Sequence, residues 1–548
     1  MRRLIYTALF AIGCLTLQAQ YVSEVWVADR GDGTYRNPII HADYSDPDVV
    51  AVGDDFYMTA SSFGCAPGLP ILHSKDLVNW QLVNYALREI PPVEYYREPR
   101  HGKGVWAPCI RYHAGELYIY WGDPDHGIYM VKTADPLGEW DNPVLVKAGK
   151  GMIDPTPLWD DDGKVYLAHA WAASRSKMNS VVVISEMNAE GTQVISDPVL
   201  VYDGNDGVNH TVEGPKLYKR DGWYYIFAPA GGVETGWQLV MRSRNIYGPY
   251  EVRRVMEQGD TDINGPHQGG WVETPQGESW FVHFQDKAMY GRIIHLNPMT
   301  WHDGWPVIGE DKDGDGCGNP VRRHAKPKVS GKHAKTTPVE SDEFNTRQLG
   351  LQWEWHANYQ DLYGFTSDLG YMRLYGHVLS EEFVNFWEVP NLLLQKFPAE
   401  TFTATTKLKV SAKADGQQSG LIVMGWDYCY LAVVKEGDGF VLRQVTCKDA
   451  EQGTPEEVTT LAALPGGRVY EAGLHPNSEI DIFLRVKVTS GGICHFSYST
   501  DGKRFVSAGK PFTARQGKWI GAKVGLFSTA PYGKERGWVD ADWFRVTK

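Results

Sequence analysis

The apolar residues of this chain fall in short runs rich in aromatic and β-branched side chains, bounded by Gly, Pro, Asp and Asn. Asp54-Asp55-Phe56-Tyr57-Met58-Thr59-Ala60 and Gly222-Trp223-Tyr224-Tyr225-Ile226-Phe227 are two such runs, and each predicts a β-strand. No stretch sustains the period of an amphipathic helix, so the pattern predicts an all-β protein.

The runs recur in order. Five segments open on a short polar or Pro-containing motif, reach a glycine 8 to 12 residues later, and carry an aromatic three positions beyond it. The openings are Ser45-Asp46-Pro47, Val105-Trp106-Ala107-Pro108, Ile153-Asp154-Pro155, Val212-Glu213-Gly214-Pro215 and Gly265-Pro266-His267. The glycines are Gly53, Gly115, Gly163, Gly222 and Gly277, and the aromatics are Phe56, Tyr118, Tyr166, Tyr225 and Trp280. Five such units predict a five-bladed β-propeller over residues 21–325. The basic, apolar-poor stretch that follows places a linker at 326–340. From 341 to 548 the strands continue without the motif, as in Phe402-Thr403-Ala404-Thr405-Thr406-Lys407-Leu408-Lys409-Val410, and predict a β-sandwich.

Composition narrows the function. A chain of 548 residues exceeds one hydrophobic core, and its 20 Trp and 29 Tyr suit both β-packing and contact with sugar rings. Residues 1–20 join Arg2 and Arg3 to an apolar run from Leu4 to Leu17 and end on small Ala19 and polar Gln20. This reads as a signal peptide, with export to the periplasm or the outside; the run is too short to span a bilayer, and lipidation of Cys14 is the alternative. Removing Arg2 and Arg3 takes the formal charge from −13 to −15, which disfavours nucleic acid as a partner and suits a neutral polymer. Six scattered cysteines remain, without a CxxC pair, so no zinc site follows, and disulfide pairing and oligomeric state are left open. Asp311-Lys312-Asp313-Gly314-Asp315-Gly316 imitates the first half of a calcium loop, but the twelfth position is Arg322 rather than Glu, so it reads as a tight turn.

If the innermost strand of each blade starts at its motif, Asp46, Asp154 and Glu213 converge on one axis. Hydrolysis of a glycosidic bond needs a carboxylic acid to protonate the leaving oxygen and a carboxylate on the opposite face. Crowded, desolvated carboxyls supply the raised pKa such an acid needs. Asp48 shares a strand face with Asp46 under simple alternation and competes for the base role, with Asp43 a further rival.

These motifs, with Asn37-Pro38-Ile39, His73-Ser74-Lys75-Asp76-Leu77-Val78-Asn79-Trp80 and Tyr247-Gly248-Pro249-Tyr250-Glu251, resemble glycoside hydrolase family 43. The resemblance implies a propeller with a concanavalin- or jelly-roll-like sandwich, Asp46 as general base, Glu213 as general acid and Asp154 as modulator of the acid. It also implies inversion, with carboxyls separated by about 6.5–9.5 Å. Phe63 and Trp106 match aromatic walls of the sugar subsite, Arg292 a contact to a sugar hydroxyl or the base, and Trp519 a sandwich residue that closes one end of the pocket. His267 matches a channel histidine, either beside a structural Ca²⁺ or simply hydrogen-bonded; the chemistry itself needs no cofactor. Lys216 stands where many relatives have His, and Gly64-Cys65-Ala66 replaces a more aromatic stretch.

The expected activity is an inverting, exo-acting release of α-L-arabinofuranosyl units, and also β-D-xylosyl units, from plant cell-wall glycans such as arabinoxylan, xyloglucan or arabinan. The alternatives are a β-xylosidase on xylo-oligosaccharides and, from other classes, a non-catalytic glycan-binding protein or a propeller serving as an interaction platform.

Overall fold

The computed structural model describes residues 21–360, 362–464, 468–470 and 477–548; the proposed leader, 1–20, lies outside them. Five four-stranded antiparallel meanders form the first body. Their inner strands are Asp48–Val52, Trp106–His113, Met152–Trp159, Lys216–Arg220 and His267–Glu273, and their outer strands end at Leu87, Ala148, Asp203, Met256 and Ile308. The five repeat glycines all have positive φ, from 62° at Gly53 to 89° at Gly115, in the tight turn joining the first two strands of each blade. That backbone is where a Cβ is strained, which explains the glycine repeat.

A ring of blades has no single core. Apolar side chains collect instead in one cluster per seam. Ile71 and Leu87 meet Ile119 and Trp121 between blades one and two, and Ile128 and Met130 meet Val165 and Leu167 between two and three. Ala168 and Ile184 meet Leu217 and Met241 in the next seam, and Phe227 and Val240 meet Phe281 and Ile308 in the one after. All five repeat aromatics are buried in these seams.

Blade five takes all four strands from one segment, so the ring is closed by an added clasp rather than a shared blade. Thr34–Arg36 pairs with Arg323–Ala325, and Ile40 bridges Ile294. Ile39 and Ile40 are buried in the seam between blades five and one, each worth about 1.5–3 kcal/mol as buried side chains.

The second body is two stacked sheets of eight and nine strands. Leu421, Val423, Leu431 and Leu526 of one face Leu408, Ile482, Leu484 and Phe544 of the other. One four-residue α-helix, Ala173–Ser176, occurs among the described residues, and all six described cysteines are free.

Segment 326–340 carries no strand yet is tied down. Lys326 is ion-paired to Asp29 at 2.7 Å and Asp76 at 2.6 Å, and buried Glu340 accepts from Ser23 Oγ at 2.6 Å. The two bodies are also locked directly. Trp355 and Ala66 exchange backbone bonds of 2.6 and 3.2 Å, and the Asn358 amide pairs with Ile90 N–H and C=O at 2.8 and 3.0 Å. Buried Glu354 lies between Lys396 and Lys523. Asp43 accepts from Arg292 N–H at 2.8 Å with one oxygen and from Gly521 N–H at 2.9 Å with the other.

A Cβ at Gly521 would stand 2.7 Å from Gly291 N and 2.9 Å from its Cα, a contact backbone cannot relieve without moving. Gly521→Ala is therefore expected to cost about 1–3 kcal/mol by overpacking, read as a lower urea midpoint; an unchanged midpoint would mean that the interface has slack.

Candidate active site

A left-handed residue stands within two residues of the start of each inner strand: Asp46 (φ 54°), Ala107 (32°), Asp154 (57°), Gly214 (60°) and Gln268 (42°). Four precede a proline and the fifth precedes Gly269. In blades two, three and five the ladder slips at this point, between Trp106 and Cys109, Ile153 and Thr156, and His267 and Gly269. Such a bulge bends the strand and re-aims its side chains. The alignment also corrects the repeat. Asp46 and Asp154 occupy the left-handed position, whereas Glu213 comes one residue before it, the place held by His267 in blade five. The blade-five motif is thus His267-Gln268-Gly269 rather than Gly265-Pro266-His267.

The residues singled out in the sequence meet. Asp46, Phe63, Trp106, Asp154, Glu213, His267, Arg292 and Trp519 all line one pocket of about 360 Å³. On its floor, one oxygen of Asp46 accepts from Ser45 Oγ at 2.8 Å and Ser61 Oγ at 2.6 Å, and the other lies 3.3 Å from Arg292 Nη1. Arg292 Nη1 also donates to Ser45 Oγ at 2.7 Å. Asp154 accepts from Gly214 N–H at 2.7 Å and Gln268 Nε2 at 3.1 Å.

Burial pushes the Asp154 carboxyl up to about 6, helped by Asp46 and opposed by Gly214 N–H, Lys216 and Gln268. Glu213 goes further, to about 8; burial is the largest cause, followed by the charges of Asp154 and Asp46, with Arg292 opposing. The Glu213 side chain is 28 % exposed, but into the pocket, so desolvation still dominates. The three carboxyls therefore differ in a useful way: one is protonated at neutral pH, and one is held by an arginine and two hydroxyls. A bound acetal would meet a proton donor and a carboxylate in the same cavity.

The walls are aromatic. Phe63 and Trp106 meet edge-to-face at 6.3 Å, and Trp519 of the sandwich meets Trp106 at 6.1 Å, with Arg292 5.6 Å from its ring centre. Trp519 is 44 % exposed and its backbone is left-handed, φ 64°.

His267 is buried and neutral, pushed down to about 3 by desolvation and by Arg292 and His283. Its Nε2 stands 3.4 Å from Glu213 Oε1 without hydrogen-bond alignment. Calcium takes about six to eight oxygens. Among the described residues no set of three acidic, His or Cys side chains surrounds His267, so these side chains do not build a calcium cage there. Asp311, Asp313 and Asp315 do cluster, in an exposed turn in which Asp311 accepts from Gly314 and Gly316 N–H.

The rival acids lie elsewhere. Buried Asp48 accepts from Ile110 N–H at 2.8 Å and pairs with Arg111 at 2.7 Å in the seam of blades one and two, and Asp43 is used at the domain interface. Sequence reasoning missed Ser61, Gln268 and the rim residues Trp171, Ser174 and Asn179. Ser61 lies two residues before Phe63 and Gln268 follows His267, but a Ser or Gln carries no signal of its own until its partner is known.

Comparison with known proteins bears on this arrangement. Residues 35–306 match the model for glycosyl hydrolases family 43, and 341–547 match the β-xylosidase C-terminal concanavalin A-like domain. A putative β-xylosidase of Xylanibacter ruminicola is 36% identical over 507 residues, covering 91% of this chain and 87% of that protein. A β-xylosidase of Formosa agariphila is 33% identical over 568 residues (94% and 90%), and a non-reducing end α-L-arabinofuranosidase of Bacteroides ovatus is 30% identical over 453 (78% and 81%). Among solved structures, the GH43 protein BlXynB of Bacillus licheniformis superposes with TM-score 0.77 at 27% identity, covering 94% of this chain and 99% of that one. With its five-bladed propeller, concanavalin-like sandwich and pocket of carboxyls on the axis, the chain belongs to glycoside hydrolase family 43.

Proposed function

We propose that this glycosidase is an exo-acting, inverting β-xylosidase that removes terminal xylosyl units from xylo-oligosaccharides or xylan side chains. Glu213 protonates the leaving oxygen, Asp46 activates water, and Asp154 raises and orients the acid. The observation that carries this reading is the placement of Glu213: burial and two neighbouring carboxyls keep its proton on at neutral pH, while Asp46 in the same pocket has Arg292, Ser45 and Ser61 to hold its charge. Trp519 walls one end of the pocket, which supports release of single sugars rather than cleavage within a chain.

The preference for arabinofuranosyl units expected from the sequence gives way to xylosyl because the relatives matched over the largest share of this chain carry the β-xylosidase name. The B. ovatus relative, named an arabinofuranosidase, supports arabinofuranosyl release as the second reading. Export, periplasmic or extracellular, belongs to the same proposal and rests on the leader-like residues 1–20.

Three outcomes test it. Side-by-side assays should give a faster rate on p-nitrophenyl β-D-xyloside than on the α-L-arabinofuranoside, with α-xylose as the first product by NMR; β-xylose appearing first would refute inversion. Glu213→Ala should lose about 10²–10⁴-fold on xylobiose and far less on an aryl xyloside with a good leaving group, and equal losses on both would remove Glu213 from the acid role. Finally, kcat/KM should follow a bell. Activity falls as pH drops through about 6, where Asp154 takes a proton, and again as pH rises through about 8, where Glu213 gives one up. These limbs belong to the coupled cluster rather than to single residues.

A further inference from the structure

The site holds three carboxyls, and Arg292 is the cation that lines it. A second cation lies beneath. Lys216 opens the inner strand of blade four and is fully buried, which is rare for a lysine and requires a compensating partner. Its position is stapled from both sides. Gly214 N–H donates to Asp154, and Pro215 C=O accepts from Thr156 Oγ1 at 2.6 Å, so residues 214–216 are pinned to the strand that carries Asp154. From there Lys216 Nζ reaches the carbonyl of Pro108 in blade two at 2.9 Å. Blades two and four flank blade three, so a side chain spanning them at the axis passes under the blade-three strand.

We infer that Lys216 is a positioning residue for the proton of this site: its buried ammonium balances Asp154, so that of the three carboxyls Glu213 alone keeps its proton. This deepens the reading of Glu213 as the acid and rests on it. The charges around the axis support the count. Arg292 lies against Asp46, and Lys216 sits on the segment stapled to the strand of Asp154. Asp48 is neutralised separately by Arg111, Asp286 stands 4.0 Å from Arg292 Nε with its side chain 27 % exposed, and Asp43 is satisfied by two backbone N–H groups. Cys109, the next residue after the Pro108 acceptor, is a buried thiol whose acidity burial suppresses. With two cations under three carboxyls, one proton makes the cluster neutral. A histidine would not serve in this place, because an imidazole buried this deeply is neutral, as His169 and His267 are.

The test uses the full chain, with Lys216→Gln, which can keep a donor toward Pro108, and Lys216→Met, which cannot. Removing the ammonium should raise the acid limb of kcat/KM on aryl β-D-xyloside by about 1–3 pH units. A purely structural lysine would lower activity evenly at every pH, and an unmoved acid limb overturns the inference. Thermal melts supply a readout that needs no activity. Lys216→Met should destabilise the wild-type background more than the Asp154→Asn background, and a variant that fails to fold alone but folds with Asp154→Asn counts as the same coupling. Additive effects, or failure to fold in both backgrounds, refute the pairing. If the wild type cleaves neither xyloside nor arabinofuranoside, the functional reading falls, and the melts still decide whether Lys216 balances Asp154.

Discussion

The site hangs on the left-handed residue near the start of each inner strand. In a regular strand Asp46 and Asp48 would share a face, and both would compete for the pocket. The bend at Asp46 breaks that alternation, so Asp46 meets the substrate cavity while Asp48 turns into a seam and binds Arg111. Each non-glycine residue in this conformation costs about 1–3 kcal/mol, less for aspartate, which tolerates it better than most. Proline after the bend in four blades removes a backbone donor at a position that pairs with no neighbouring strand. Strain at the strand openings is thus the condition for placing carboxyls from separate blades around one cavity.

That placement would be self-defeating without the seams. Three carboxyls in a desolvated pocket repel one another, and a pliant scaffold would let them part or flood. Here every blade is wedged between two apolar clusters, and the ring is clasped by the strand pair of Thr34–Arg36 and Arg323–Ala325. The repulsion is absorbed as raised proton affinity rather than as motion. Asp154 and Glu213 settle at different values because Asp154 has two hydrogen-bond donors and Lys216 nearby, whereas Glu213 has Arg292 alone opposing its rise.

Much of this was legible in the chain because the propeller writes its geometry as a repeat. Gly53 and its four counterparts mark left-handed turns, and the aromatics three residues on mark the seams. All eight site residues chosen from sequence line the pocket. What stayed hidden has two physical causes. The left-handed residue that fixes each blade's alignment is not visible in spacing alone: Glu213 stands one residue before it, at Gly214, and in blade five it is Gln268. Partnership is also not written in composition. The role of Asp43 at the interface has no sequence signal, and Ser61 and Gln268 gain meaning from the carboxyls they touch.

The two oxygens of Asp43 join things that belong to different bodies: the backbone of Arg292, which steadies Asp46, and the backbone of Gly521, two residues from Trp519. One carboxylate therefore ties the floor of the pocket to its sandwich-borne wall. A recombination between relatives at 326–340 would pair a propeller and a sandwich that had never shared this joint, and would misplace the wall even if both halves folded. In this respect the sandwich is closer to an active-site loop than to an interchangeable module.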